Sequence, residues 1–211
     1  MELFKRVLVL APHTDDGEVG CGGSIAKMVQ QGQEVYMAAF SVARTSVPRG
    51  FPPDALKGEI CQAIKCLGVP DENLIIFDYD VRHFPAHRQE ILEDMVKLKR
   101  DLAPDLVLLP ASTDIHQDHQ VISAEGLRAF KQATVLGYEE PWNNLDFNTS
   151  GFVKLNCEHI EAKIAALKCY HSQMHRNYLD EELVRSLARI RGSQFQVEWA
   201  EAFEVMRFVM R

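Results

Sequence analysis

Lys5-Arg6-Val7-Leu8-Val9-Leu10-Ala11-Pro12-His13-Thr14-Asp15-Asp16-Gly17-Glu18 is the stretch on which the fold turns. Its Val-Leu-Val-Leu centre is apolar at every position, with charge before it and Pro12 after it. A strand with one wet face alternates apolar and polar residues. An unbroken apolar run suits a strand covered on both faces, as in a parallel sheet held between helices. The glycine-rich segment 17–23 then leads into Ser24-Ile25-Ala26-Lys27-Met28-Val29-Gln30-Gln31, where the spacing of Ile25, Met28 and Val29 and the closing Gly32 predict a helix. Glu34 to Ser41, rich in Val, Tyr and Phe, is the next expected strand. The chain thus opens strand–helix–strand, the unit of a right-handed parallel crossover.

The alternation continues outward from there. Helices are expected over 53–67, 87–102, 117–132, 158–170 and 180–191, and short apolar strands over 74–77, 105–109, 135–138 and 152–155. A final strand or sheet edge is expected over 203–210. Strands alternating with helices make a doubly wound α/β domain the expected architecture. No repeat, low-complexity tract or long linker interrupts the pattern, and 211 residues fit one domain over 1–211. The loop from Val42 to Pro53, which holds Gly50 and three prolines, is a candidate lid.

Composition excludes several classes. Hydrophobic residues at 46% and charged residues at 25% are those of an ordinary globular chain. Lys and Arg number 23 against 30 Asp and Glu, a net charge of -7 at pH 7, which repels a phosphate backbone and argues against nucleic acid as a partner. A small anionic ligand in a pocket of opposite sign stays compatible with it. The N-terminal apolar run is far too short to span a bilayer, and no small-residue cleavage site follows it. Cys21, Cys61, Cys66, Cys157 and Cys169 form no Cys-x-x-Cys pair and fit thiols in a reducing compartment. A cytoplasmic chain with no stable membrane insertion is expected.

In doubly wound folds ligands bind outside the carboxyl ends of the strands, and the two most unusual clusters fall there. His13, Asp15 and Asp16 follow the first strand; Asp114-Ile115-His116-Gln117-Asp118-His119 follows the strand over 105–109. If both strands are central, the two loops face each other across one crevice. Adjacent carboxylates in a small pocket resist ionising together unless a cation is present. Two imidazoles and one carboxylate hold zinc with an open position for water, and ferrous iron suits the same ligands. Such an ion lowers the pKa of water towards about 7 and polarises a carbonyl. A spare neighbouring carboxylate can take the water's proton. Asp15 and Asp16 are expected to point apart, so that one ligates while the other serves as base.

Each cluster also has a plain structural reading. Asp-Asp pairs are common on solvated turns, and His-x-x-His can be an exposed first helical turn whose Asp118 favours the helix dipole. Convergence of both after buried strands is what favours a site. Gly20-Cys21-Gly22-Gly23 also suggests a dinucleotide fingerprint. That motif needs glycine where Ile25 stands, and no acidic residue closes the second strand.

Residues 11–25, Ala-Pro-His-Thr-Asp-Asp-Gly-Glu-Val-Gly-Cys-Gly-Gly-Ser-Ile, resemble the signature of the LmbE/PIG-L family of metal-dependent N-deacetylases. His116-Gln117-Asp118-His119 resembles the family's second motif, His-Pro-Asp-His. Lys163 with Tyr170-His171-Ser172-Gln173, and Arg191-Gly192 with Ala200-Glu201-Ala202-Phe203, resemble its later segments. The resemblance implies an α/β fold of the Rossmann-like three-layer sandwich type, with a mostly parallel central sheet. It implies one Zn2+ held by His13, Asp16 and His119, with Fe2+ as the alternative metal. It implies Asp15 as general base, and His116, braced by Asp118, as the group that stabilises the oxyanion or protonates the leaving amine. An N-acetylglucosamine-like amino-sugar conjugate is the implied substrate, and a trimeric or hexameric homo-oligomer the implied assembly. Thr14 and Gln117 stand where the family has prolines, and Gly17 separates Glu18 from the Asp pair. These departures remove no ligand and no base, and point to a subgroup with its own substrate, such as a sugar nucleotide, glycoside or glycan precursor. The alternatives are another metal-dependent amide or phosphoester hydrolase, or a non-catalytic, metal-containing module that binds a sugar or nucleotide.

Arg44, Arg49, Arg82, His83 and Arg88 fall on loops or helix starts that could line the cleft and receive an anionic conjugate. Solvated surface is the plain reading of each. Trp142-Asn143-Asn144 offers an aromatic face and amides to a sugar, or packing to an oligomer. Arg49, Arg82, Trp142 and Asn143 are the expected substrate contacts. His171 is expected at a helix end outside the metal shell, and Cys21 as a buried structural thiol.

Overall fold

The computed structural model describes residues 4–210. One seven-stranded sheet runs in the order β3-β2-β1-β4-β5-β7-β6, with β1 Arg6–Ala11, β2 Glu34–Ala39, β3 Leu74–Ile76, β4 Leu106–Pro110, β5 Thr134–Tyr138, β6 Gly151–Leu155 and β7 Trp199–Arg207. β1 to β5 are parallel, and β7 runs antiparallel to β5 and to β6. The helices are α1 Asp16–Gln30, α2 Ala55–Cys66, α3 Arg88–Leu102, α4 Gln117–Ala129, α5 Cys157–Leu167 and α6 Glu181–Ser193.

The composition of β1 follows from its place in this sandwich. Val7 and Val9 enter a core shared with Ile25 of α1, Ile60 of α2 and Ile164 of α5, while Leu8 and Leu10 enter one shared with Ile91 of α3 and Ile122 of α4. Every residue from Val7 to Ala11 is fully buried, so no position along the run tolerates a polar side chain. Burial of each Val or Leu contributes about 1.5–3 kcal/mol relative to exposure. The chain winds from β1 through β2 to β3, then crosses back to place β4 and β5 on the other side of β1. The loops after β1 and β4 therefore leave the sheet side by side, at the reversal where doubly wound folds bind ligands.

Two expectations need correction. The glycine segment is not a lead-in: α1 starts at Asp16 and carries Gly17 to Gly23 inside it, with one break at Cys21 (φ -146°, ψ 25°). Packing, which helix propensity does not see, explains this. A Cβ on Gly20 would run into the Tyr138 ring, and one on Gly23 would lie 2.6 Å from Leu155 Cδ1. Just past the break, the Gly23 and Ser24 N–H groups donate to the Glu201 carboxylate at 3.0 and 2.6 Å, and Lys163 Nζ meets Glu201 Oε1 at 2.6 Å. The final strand is the second correction. It spans Trp199–Arg207 and lies inside the sheet between β5 and β6, leaving β3 and β6 as the edges. The other expected elements are present with ends displaced by a few residues. Among the described residues, no helix is long and apolar enough to cross a membrane.

Candidate metal centre and active-site crevice

β1 delivers the chain through Pro12, His13 and Thr14 into the first turn of α1. There Asp16 folds back, and its Oδ2 accepts the His13 backbone N–H at 2.7 Å, which sets ring and carboxylate side by side. After β4, His116 is the N-cap of α4: its Nδ1 accepts the Asp118 N–H at 3.2 Å. The first turn of α4 then brings His119 against the β1 loop. His13 Nδ1, Asp16 Oδ2 and His119 Nε2 form a triangle with sides of 3.1, 3.3 and 3.4 Å. Four-coordinate zinc with bonds of about 2.0–2.1 Å spaces neighbouring ligand atoms about 3.3 Å apart. The donor set fits a tetrahedral cation.

Both rings are backed by carboxylates on their outer nitrogens. His13 Nε2 lies 3.0 Å from Asp118 Oδ2, and His119 Nδ1 lies 2.8 Å from Asp114 Oδ2. Partners of this kind fix the tautomer so that the inner nitrogen offers a lone pair to a metal. Asp118 Oδ2 also accepts the Arg82 N–H at 2.5 Å, and Asp114 Oδ1 accepts the His116 N–H at 2.8 Å. The expected bracing of His116 by the Asp118 carboxylate is corrected here: that carboxylate holds His13, and Asp118 meets the His116 ring only through its backbone N–H. Residues two apart at a helix start do not face each other.

Burial lifts the Asp15 carboxyl to about 6, with the Asp16 charge adding to the effect. For Asp16 burial pulls the same way, but His119 and His13 outweigh it and hold this carboxyl well below the usual range. Burial works against charging either His13 or His119. Asp16 overrides it, raising His13 to about 9 with help from Asp118, and raising His119 with help from Glu140. His116 goes the other way: burial, then His119 and His13, bring it down to about 4. Asp16 stays ionised by drawing protons onto two rings. A divalent cation neutralises the same charge and leaves both rings neutral.

Glu140, which sequence reasoning missed, sits in this cluster. It is buried, its Oε2 lies 3.6 Å from His119 Nδ1, and its Oε1 has no hydrogen-bond partner. Ligand atoms of His13, His116 and His119, and separately of Asp16, His119 and Glu140, lie within 4.8 Å of one another. The signal for it was the Glu139-Glu140 pair directly after β5, at the same end of the sheet as the other acidic loops.

The crevice above the centre has a volume of about 270 Å³ and is lined by His13, Asp15, Asp16, His116 and His119 together with Arg82, Trp142 and Asn143. Asp118 is fully buried behind it. Arg49 does not line it and is exposed, which corrects its expected role as a substrate contact. The loop over 42–53 turns through left-handed Ala43 into a 3-10 turn over Arg44–Ser46, and this presents Ala43 and Ser46 to the crevice instead. Arg44 pairs with Asp78 and Arg88 with buried Glu125, and neither arginine lines the crevice. His83 bonds to the Val81 carbonyl at 3.1 Å. His171 is exposed. Cys21 is a buried thiol whose Sγ donates to the Gly17 carbonyl, and burial lifts it well above its ordinary pKa. Tyr178 was not foreseen: its hydroxyl donates to Asp15 Oδ2 at 3.2 Å, and its ring stacks on Trp142.

The profile of the GlcNAc-PI de-N-acetylase (PIG-L) family matches residues 8–130, more than half of the chain and the part that carries both metal loops. The chain belongs to the PIG-L family. The deacetylase YaiS of Escherichia coli is 32% identical over 179 residues, covering 80% of this chain and 91% of that protein. The diacetylchitobiose deacetylase of Thermococcus kodakarensis is 24% identical over 229 aligned positions, covering 97% and 83%. The solved N,N'-diacetylchitobiose deacetylase of Pyrococcus horikoshii superposes with a TM-score of 0.80 at 21% identity, over 96% of this chain and 84% of that one. A 4-carboxy-2-hydroxymuconate hydratase from Pseudomonas putida superposes almost as well, with a TM-score of 0.78 at 20% identity over 98% of both chains. Fold alone therefore does not choose the reaction. PIG-L membership does: it places this chain among metal-dependent deacetylases, hydrolases of an amide C–N bond.

Proposed function

We propose that the protein is a zinc-dependent N-deacetylase that removes the acetyl group from an N-acetylglucosamine-like amino-sugar conjugate. One observation carries this reading: the 3.1–3.4 Å triangle of His13, Asp16 and His119 beside a carboxylate, Asp15, outside that triangle. His13, Asp16 and His119 would hold the ion. When bound, it would acidify a water and polarise the amide carbonyl. Asp15, oriented by Tyr178, takes the proton from the attacking water and passes it on to the leaving amine. His116 accepts the Asp118 N–H on Nδ1, so its own proton sits on Nε2, from which it stabilises the oxyanion. Arg82, Trp142 and Asn143 line the space left for the sugar.

The substrate class is supported by the relative named for diacetylchitobiose. We place the enzyme in the cytoplasm as a trimer or hexamer. Its exposed apolar Ile115 and Leu145, 53% and 84% accessible beside the loops of the crevice, are consistent with an interface; sedimentation equilibrium checks this. The decisive experiment is a screen of N-acetylated glycosides and sugar nucleotides for free amine, with added zinc or ferrous iron and with a chelator. Metal-dependent release is expected, and a metal-loaded protein silent towards all N-acetyl sugars would overturn the reading.

A further inference from the structure

A second cavity of about 30 Å³ borders the crevice, lined by Val19, Gly20, Leu183, Val184, Ala188 and Ala202. Trp142 and Tyr178 line both spaces. Their rings stack 4.4 Å apart at 17°, so the pair forms the partition between crevice and cavity. The Tyr178 hydroxyl donates to Asp15 Oδ2, which puts the partition next to the base.

The cavity suits one kind of guest. Its charged border groups already hold each other: Lys163 pairs with Glu201 at 2.6 Å, and Arg191 pairs with Glu139. A sugar ring placed there would leave hydroxyls unpartnered, at a cost for each. An alkyl chain loses nothing and gains burial. The acyl group is the apolar part of an N-acyl sugar, and it hangs from the carbonyl that reacts beside Asp15.

We infer that the Trp142–Tyr178 stack sets the acyl length the enzyme accepts. Closed, it confines the substrate to acetyl; opened, it admits a longer chain to the second cavity. The inference rests on the deacetylase reading above. A volume of 30 Å³ is room for about two water-sized groups, an extension of about two carbons.

The test compares release of free amine from N-acetyl- and N-butyrylglucosamine methyl glycosides by the full-length, zinc-loaded protein. The wild type is expected to favour the acetyl compound by about tenfold or more in kcat/KM. Trp142→Ala should raise the butyryl-to-acetyl ratio by about tenfold, and adding Ala188→Leu, which fills the cavity, should reverse that gain. The ratio cancels any general loss of turnover. Tyr178→Ala opens the partition from its other side, and tests the idea again should Trp142→Ala not fold. It should lower both rates through Asp15 while raising the ratio. Acetyl turnover with a ratio unmoved by either substitution overturns this inference alone. A wild type that binds zinc yet frees no amine from these glycosides or from any N-acetyl sugar of the screen above overturns the deacetylase reading and this inference with it.

Discussion

Asp16 Oδ2 faces two imidazole nitrogens and the His13 N–H, whereas Asp15, one residue earlier, faces Tyr178. That division carries distinct consequences for substitution. Asp15→Ala should keep full zinc content, read by elemental analysis, while kcat falls by about 10²–10⁴. His119→Ala should lose the metal, since one corner of the donor triangle goes; equal zinc in that variant would refute the ligand set. Asp114→Ala removes no ligand, yet should weaken zinc binding by about 10–100-fold in chelator competition, because it frees the His119 ring. His13, Asp15, Asp16 and His119 were legible because their side chains are unusual at the end of an apolar strand. Glu140 and Tyr178 were not. Their importance lies in contacts made across the fold, to His119 and to Asp15; the Glu139-Glu140 pair after β5 is the local mark of the first, and nothing local marks Tyr178.

At the scale of elements, α1 shows local signals being overruled. Gly20 sits where the helix presses on Tyr138, and a methyl there has no free space. Gly20→Ala should cost about 1–3 kcal/mol by overpacking, seen as a lower Tm with the metal donors untouched. Past the break at Cys21, the Glu201 carboxylate holds the Gly23 and Ser24 N–H groups and is itself paired with Lys163. Lys163→Met leaves that carboxylate buried without its cation, and should destabilise by about 3–5 kcal/mol in urea unfolding. Glycine counts as a breaker in any short window, which is why the segment reads as a lead-in to the helix and not as part of it. Helix α5 and strand β7, far away in sequence, make it a helix.

At the scale of the molecule, the centre ties together two loops that meet only because β1 and β4 are neighbours in the sheet. His13 and Asp16 come from one loop and His119 from the other, so a bound ion braces the fold across about a hundred residues of chain. Zinc at 100 times its Kd should add about 2.7 kcal/mol of stability. For a chain of this size that corresponds to a Tm increase of roughly 5–10 °C. A chelator should abolish the shift by differential scanning fluorimetry, and His119→Ala should not show it. A shift that survives in that variant would mean the metal binds elsewhere.

The sequence by itself determined the layered α/β order, the two-sided burial of β1, and the chemistry available at the strand ends. These are local properties: hydrophobic period, residue type, and spacing along the chain. Only the tertiary structure decided which outer nitrogen each carboxylate holds, that Arg49 stays outside the crevice while Tyr178 and Glu140 join it, and that β7 lies inside the sheet. Those outcomes depend on the geometry of segments distant in sequence, and contacts at that range leave no periodic trace in the chain.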